Sequence, residues 1–267
     1  MCHESDSHPP ELPPDLRPIA PMAGGALETH DLVLHAADGN SLAGFAARAP
    51  SPTGAGVVVF PDRSGLGTFY EELTMRLADA GFDAVAFDYY GRDNGPRRAP
   101  VDYDALAAMR ELTVEQVASD AAAAAAYLRS SEGGSVRRLF TLGFCFGGRN
   151  AYMNATTTSP VRADGTIAFY GVLGSWRPDA PCPLDQAPRM RGPILGFFGG
   201  ADQAIPQDQI DAFDRALGAA GAEHEFHVYP EAPHSFFDRR STEFAGASED
   251  AWRRVVAFLR VHVDRGR

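Results

Sequence analysis

The stretch that most constrains this chain is Thr141-Leu142-Gly143-Phe144-Cys145-Phe146-Gly147-Gly148. An apolar run from Val136 to Phe144 reads as a buried strand, and a helical stretch from Arg149 follows the glycines. A strand that turns sharply into a helix at Gly-x-Cys-x-Gly is the context of the nucleophile elbow, with cysteine where serine is usual. The nucleophile sits on a strained turn, and its neighbours two residues either side crowd the strand and the helix. Only hydrogen side chains fit at Gly143 and Gly147. The turn lifts the Cys145 sulfur above the sheet. It also aims the amide N–H of Phe146, at a helix N-terminus, toward the same point, as half of an oxyanion hole. Taken alone, the pattern also fits a buried structural cysteine, so its surroundings have to decide.

The surroundings alternate strand and helix. Glu28 to His35 and Ser41 to Arg48, joined by Asp38-Gly39-Asn40, read as an antiparallel hairpin. Gly56 to Phe60, Phe82 to Phe87, Val136 to Phe144, Ala163 to Tyr170, Pro193 to Phe198 and Glu223 to Tyr229 read as strands, most of them apolar throughout. Helical patterns fall at Thr68 to Gly81, Asp102 to Ser130 (with a break near Leu112-Thr113), Arg149 to Thr157, Gln207 to Ala220 and Ala247 to Val263. Gly171 to Gly192 reads as a long proline-bearing loop that could wall a pocket. The expected fold class is α/β: a doubly wound, mostly parallel sheet with an antiparallel N-terminal hairpin, in three layers α/β/α. Ligands of such sheets bind at the carboxyl ends of the strands. Residues 27–267 form the single expected domain. Residues 1–26, carrying Pro9, Pro10, Pro13, Pro14, Pro18 and Pro21, read as a disordered or polyproline-like extension, with a segment wrapped across the domain surface as the alternative.

Composition excludes several alternatives. The net charge of −11 and the absence of basic runs argue against nucleic acid and anionic membrane as partners. Lysine is absent, which removes Schiff-base and Walker A chemistry. Cys2, Cys145 and Cys182 are the only cysteines, too few and too irregular for a disulfide framework or a metal site. Met1 to Asp6 lack the basic and apolar regions of a signal peptide, and no apolar run is long enough to span a bilayer. A cytoplasmic setting, no cofactor and no metal are therefore expected, with a monomer or small homo-oligomer acting on a small molecule.

A thiol nucleophile needs a base, and the base needs an orienting acid. Asp202, in Phe198-Gly199-Gly200-Ala201-Asp202, follows a strand and is assigned as the acid. His234, in Tyr229-Pro230-Glu231-Ala232-Pro233-His234, follows the last strand and is assigned as the base. Each alone would read as a loop residue. Together, in the order nucleophile, acid, histidine and each at a strand end, they point to catalysis.

On these motifs the chain from about Leu27 onward resembles the dienelactone hydrolase (carboxymethylenebutenolidase) family of α/β-hydrolases. The elbow Gly143-Phe144-Cys145-Phe146-Gly147-Gly148 is the specific part, because most other α/β-hydrolases carry serine there. The resemblance implies an α/β-hydrolase fold and an enzyme that hydrolyses small lactones or esters with Cys145, His234 and Asp202. It implies that Asp62, where the family has a glutamate, helps to activate the thiol, and that the Arg63 amide is the second oxyanion donor. It also implies that Arg92, with Tyr90 in Asp88-Tyr89-Tyr90-Gly91-Arg92, binds a substrate carboxylate. A second family arginine falls at Asp238, with Arg239 and Arg240 just beyond. Two other readings stay open at this point: non-hydrolytic lactone or cyclisation chemistry in the same site, and a thiol redox sensor using Cys145 with Cys182.

Overall fold

The computed structural model describes residues 7–11, 13–16, 26–100, 102–175 and 180–264. A short 3-10 turn, Pro14–Leu16, precedes β1 (Glu28–His35), β2 (Ser41–Arg48), β3 (Ala55–Phe60), α1 (Thr68–Asp79) and β4 (Asp83–Phe87). Next come α2 (Gly91–Asn94), α3 (Ala105–Glu111), α4 (Val114–Arg129), β5 (Arg138–Phe144), α5 (Phe146–Asn154) and β6 (Gly165–Phe169). The chain closes with α6 (Pro183–Gln186), β7 (Ile194–Gly199), α7 (Gln207–Ala219), β8 (His224–Tyr229) and α8 (Ala245–Asp264).

The eight strands form one sheet in the order β1-β2-β4-β3-β5-β6-β7-β8. β1 pairs with β2 and β2 with β4 antiparallel; every other pairing is parallel. The strand period of two puts Val57 and Val59 of β3 into one apolar cluster, with α1, α7 and α8 residues such as Leu73, Phe213 and Trp252. Val58 and Phe60 enter a second cluster with Val117, Ala121 and Leu128 of α4. β3 is thus buried on both faces, which its unbroken apolar run predicts. Burying one such aliphatic or aromatic side chain contributes about 1.5–3 kcal/mol.

The break expected near Leu112-Thr113 is a helix start. The Thr113 side chain accepts from the Gln116 amide, and the Gln116 side chain accepts from the Thr113 amide. That reciprocal pair satisfies donors which the first turn of α4 cannot use internally. Two expectations shift. The helix after the elbow begins at Phe146 rather than Arg149, and the loop after β4 contains the single turn α2.

Two described pieces of the N-terminal segment, residues 7–11 and 13–16, lie across the domain surface. Ser241 Oγ lies 2.6 Å from Ser7 Oγ and donates to the His8 carbonyl at 2.9 Å. His8 pairs with Glu72 of α1 at 2.7 Å, Glu11 pairs with Arg76, and Arg260 of α8 donates to the Leu16 carbonyl. Pro9 is buried. Residues 7–11 and 13–16 therefore form a strap, because their polar groups meet partners on α1, α8 and the Ser241 loop. The rest of the 1–26 tail lies outside the described residues. Among the described residues no helix is long and apolar enough to cross a membrane.

Candidate active site

Sheet register brings the site together. Phe60, the last residue of β3, pairs with Gly143 of β5, and Phe144 pairs with Phe169 of β6. Gly199 of β7 pairs with Tyr229 of β8. The strands thus end at one level, and the residues that follow them meet there. Cys145 occupies the turn itself with φ 53° and ψ −110°, a conformation that costs a non-glycine residue energy and persists only where the surroundings impose it. Those surroundings are tight. A Cβ at Gly143 would lie 2.2 Å from the Gly147 carbonyl oxygen, and one at Gly147 would lie 2.1 Å from that of Phe60. Neither position has room for a side chain, which is the physical content of the glycine spacing.

Asp202 follows β7 and is 6% exposed. Its Oδ1 accepts the Ala204 amide at 2.8 Å, which orients the carboxylate. Its Oδ2 lies 2.6 Å from His234 Nδ1. His234 follows β8, and the next residue, Ser235, has φ 59°, so this turn is strained as well. Burial opposes a charge on His234. Hydrogen bonds to Asp202 and Cys145, with the attraction of their negative charges, overcome it and raise the imidazole to about 10. The structure therefore brings Cys145, His234 and Asp202 into one hydrogen-bonded group. Phe146, the first residue of α5, starts the helix at the same place.

Asp62 sits beside this group at the end of β3, in the turn closed by the Gly65 amide on the Asp62 carbonyl at 3.1 Å. It is 2% exposed. Asp62 Oδ1 accepts the Ser64 amide at 2.8 Å, and Oδ2 accepts Arg239 Nε at 3.0 Å and also its Nη2. Arg239 Nη2 donates to Ser64 Oγ at 2.8 Å as well. Arg63 is the residue after Asp62 in that turn. Asp238 does not line the site as a surface charge. It is 2% exposed; Tyr70 donates to its Oδ2 at 2.8 Å, and its amide donates to the Tyr170 hydroxyl at 3.1 Å. Burial, and then the nearby Asp62 charge, push the Asp238 carboxyl up, with Arg239 and the two tyrosines opposing. The Tyr170 ring in turn packs on the His234 imidazole, with centroids 5.1 Å apart.

Arg92 and Tyr90 are placed otherwise than the sequence pattern implies. Arg92 donates from Nη1 to Asp120 Oδ2 at 2.6 Å and from Nη2 to Asp120 Oδ1 at 3.1 Å, and it also pairs with Asp38. Asn40 adds a bond to Asp120 at 2.9 Å. Arg92, Asp38 and Asn40 line an open cleft of about 740 Å³ with Glu115 and Gln116, and Cys145, Asp202 and His234 are not among its walls. The physical reason is charge: buried Asp120 requires a cation, and Arg92 is the one within reach. The Tyr90 hydroxyl donates to the carbonyls of Arg63 and, at 3.3 Å, Ala105. It therefore holds backbone and does not present itself to a ligand.

The sequence reading missed Arg239 as the guanidinium beside Asp62, since the family pattern directed attention to Asp238. It also missed Arg149. That fully buried side chain of α5 donates to the carbonyls of Val172, Gly174 and Pro181, and so fastens the loop after β6. An arginine inside an otherwise apolar helix face was the available signal. Cys182 lies in that loop, where its Sγ donates to Asp185 at 3.0 Å, and it is not bonded to Cys145.

Comparison with known proteins places this geometry. Residues 42–263 match the "Dienelactone hydrolase family". A protein of Escherichia coli K12 named "Putative carboxymethylenebutenolidase" is 33% identical over 208 residues, 76% of either chain. One of the same name from Salmonella typhimurium is 30% identical over 265 residues, covering 95% of this chain and 96% of that one. A Klebsiella pneumoniae crystal structure described as a "Putative Dienelactone Hydrolase" superposes with a TM-score of 0.76 at 29% identity, over 87% of this chain and 98% of that one. The sheet order, the helices on both faces and these likenesses together establish that the chain has the α/β-hydrolase fold and belongs to the dienelactone hydrolase family.

Proposed function

We propose that the protein hydrolyses small esters or lactones through a covalent thioester on Cys145. The observation that carries this reading is the Asp202–His234 hydrogen bond, placed at the strand-end turn that bears Cys145. In the attacking state His234 carries the proton, between the Asp202 carboxylate and the sulfur. The Cys145 thiolate attacks the carbonyl carbon, and a C–S bond forms as the carbonyl π electrons move to oxygen. The amide N–H groups of Phe146 and Arg63 bind that oxyanion; one such donor is worth about 10²–10³ in rate. When the intermediate collapses, the C–O bond to the leaving group breaks and the departing oxygen takes the proton from His234. A water then gives a proton to His234 and attacks the thioester. The acid leaves, the sulfur recovers its electron pair, and the protonated histidine is restored. Thioesters formed from enol lactones suit this route, since the enolate departs readily.

Arg239 is a cation held beside the end of β3, and Asp62 already compensates its charge. Substrates without a carboxylate are therefore the preferred class, and Asp62 reaches the thiol only by loosening from Arg239. Turnover of 4-nitrophenyl acetate and of an enol lactone tests the central claim. Acid quench should trap an acyl adduct on Cys145 by mass spectrometry, and Cys145→Ala should abolish turnover. Undiminished turnover by Cys145→Ala would overturn the reading. Incorporation of ¹⁸O from labelled water into the released acid separates hydrolysis from rearrangement.

A further inference from the structure

Three consecutive residues at the end of β4 grip the loop that leaves β3. Asp88 Oδ2 accepts the Leu66 amide at 3.0 Å and its Oδ1 accepts the Tyr90 amide at 2.8 Å. The Tyr89 hydroxyl donates to the Pro61 carbonyl at 2.8 Å, and Tyr90 donates to the Arg63 carbonyl. Tyr89 does one thing that its neighbours do not. Its ring also stands edge-on to Phe146, with centroids 5.0 Å apart at 84°. Pro61 immediately precedes Asp62 and Arg63, and its carbonyl oxygen lies 2.3 Å from where a Gly147 side chain would begin. The elbow turn and the end of β3 are therefore in contact, and Tyr89 touches both.

We propose that Tyr89 is a positioning residue that sets the spacing of the two oxyanion donors, the amides of Arg63 and Phe146. The inference rests on the hydrolase reading above, in which those amides bind the oxyanion. The hydroxyl fixes the plane of the Pro61–Asp62 peptide, one residue before the Arg63 amide. The ring bears on Phe146, whose amide is the other donor. Tyr89 is fully buried. Burial, and then the charges of Tyr90, Asp62, Asp88 and Cys145, raise its hydroxyl far above the usual range, so it remains a neutral donor through the working pH. The other ties of the loop survive its loss: Ser64 amide to Asp62, Gly65 amide to the Asp62 carbonyl, Leu66 amide to Asp88, and Tyr90 to Arg63. Removing the hydroxyl alone should therefore relax the donor without unravelling the loop. Displacements of an ångström in a preorganised site cost about 10²-fold at most, and a tethered loop moves by less.

The test is Tyr89→Phe, which keeps the ring on Phe146. Its kcat for 4-nitrophenyl acetate should fall roughly tenfold with KM within about twofold of the parent. An aliphatic aldehyde adds to the Cys145 thiol to give a hemithioacetal whose oxygen occupies the oxyanion position, and its affinity should fall by a similar factor. Alkylation of Cys145 by iodoacetamide displaces iodide and forms no oxyanion. Its rate should stay within about twofold, whereas general damage to the nucleophile or the fold would lower it in parallel. Unchanged kcat and aldehyde affinity, or equal losses in turnover and alkylation, would overturn the proposal. Should the parent protein turn over no ester, the hydrolase reading falls, and the ratio of aldehyde affinities still decides the role of Tyr89.

Discussion

Arg92 and Arg239 each stand on a buried carboxylate, and they do different things. Arg92 grips fully buried Asp120 and ties α2 to α4 and to the turn between β1 and β2. Arg239 grips Asp62 and Ser64 at the end of β3, beside Cys145 and His234. The sequence motif singled out the first for ligand binding, yet it is the second whose carboxylate follows β3 next to the elbow turn. A guanidinium goes where an uncompensated carboxylate requires it, and no motif spacing states where its carboxylate will be. The Arg92 region holds elements of the fold together, and the Arg239 region borders the site for which hydrolysis is proposed.

The largest expected effect lies on the chemical side. Cys145→Ala should reduce ester turnover by more than about 10³-fold while circular dichroism and Tm stay close to the parent. Retained turnover would erase the distinction between the regions. Next is Arg92→Ala, which leaves Asp120 buried without its cation. Stability should fall by about 3–5 kcal/mol in urea titration, with kcat/KM for a neutral ester within about twofold. The double variant Arg92→Ala, Asp120→Ala should recover part of that loss. A selective fall in activity on carboxylated substrates would instead return Arg92 to the site.

On the other arginine, Asp62→Asn should leave Arg239 without its counter-charge. The ratio of kcat/KM for a carboxylated lactone over its methyl ester should then rise about tenfold. The same ratio unchanged would remove Arg239 from the pocket.

Acid–base behaviour supplies a finer contrast. His234 is raised from the ordinary 6.5 to about 10, so the folded protein holds this proton more tightly than the unfolded chain does. That stability is fully present below about pH 6.5 and is lost as pH rises through about 10. Cys145→Ala removes one of the bonds that raise it, so its stability curve over this window should be flatter, whereas Arg92→Ala should keep the parent's slope. The smallest effect is expected at Asp238→Asn. Its side chain accepts the Tyr70 hydroxyl and its backbone amide donates to Tyr170, contacts an isosteric amide keeps, so stability should move by about 1 kcal/mol or less.

What was legible in the sequence is what local chemistry dictates. The glycines at 143 and 147 announce a close approach that any fold containing them must honour. The apolar run at Gly56–Phe60 announces a strand covered on both faces. The order Cys145, Asp202, His234 is readable because each follows a strand directly, so strand pairing alone brings them together. The partners of Arg92, Arg239, Asp238 and Tyr89 were not legible, since each depends on side chains up to 177 residues away. Whether residues 7–11 and 13–16 wrap across the domain surface was undecided in the sequence for the same reason. Proline content describes how such a segment behaves in isolation, and says nothing of Glu72, Arg76, Ser241 and Arg260 waiting for it.

That strap carries a consequence for the order in which the molecule is made. Its bonds join Ser7 to Ser241 and Leu16 to Arg260, spans of 234 and 244 residues. Ser7 and Leu16 precede these partners by most of the chain and cannot make these bonds until Ser241 and Arg260 have emerged. At about 5–20 residues per second the wait is some tens of seconds at the slower rate. The earliest part of the strap is thus among the last to dock, and it closes on the Ser241 loop only after His234 and Arg239 have been synthesised. A nascent chain stalled before residue 241 should expose residues 7–11 and 13–16 to protease, and the released protein should protect them.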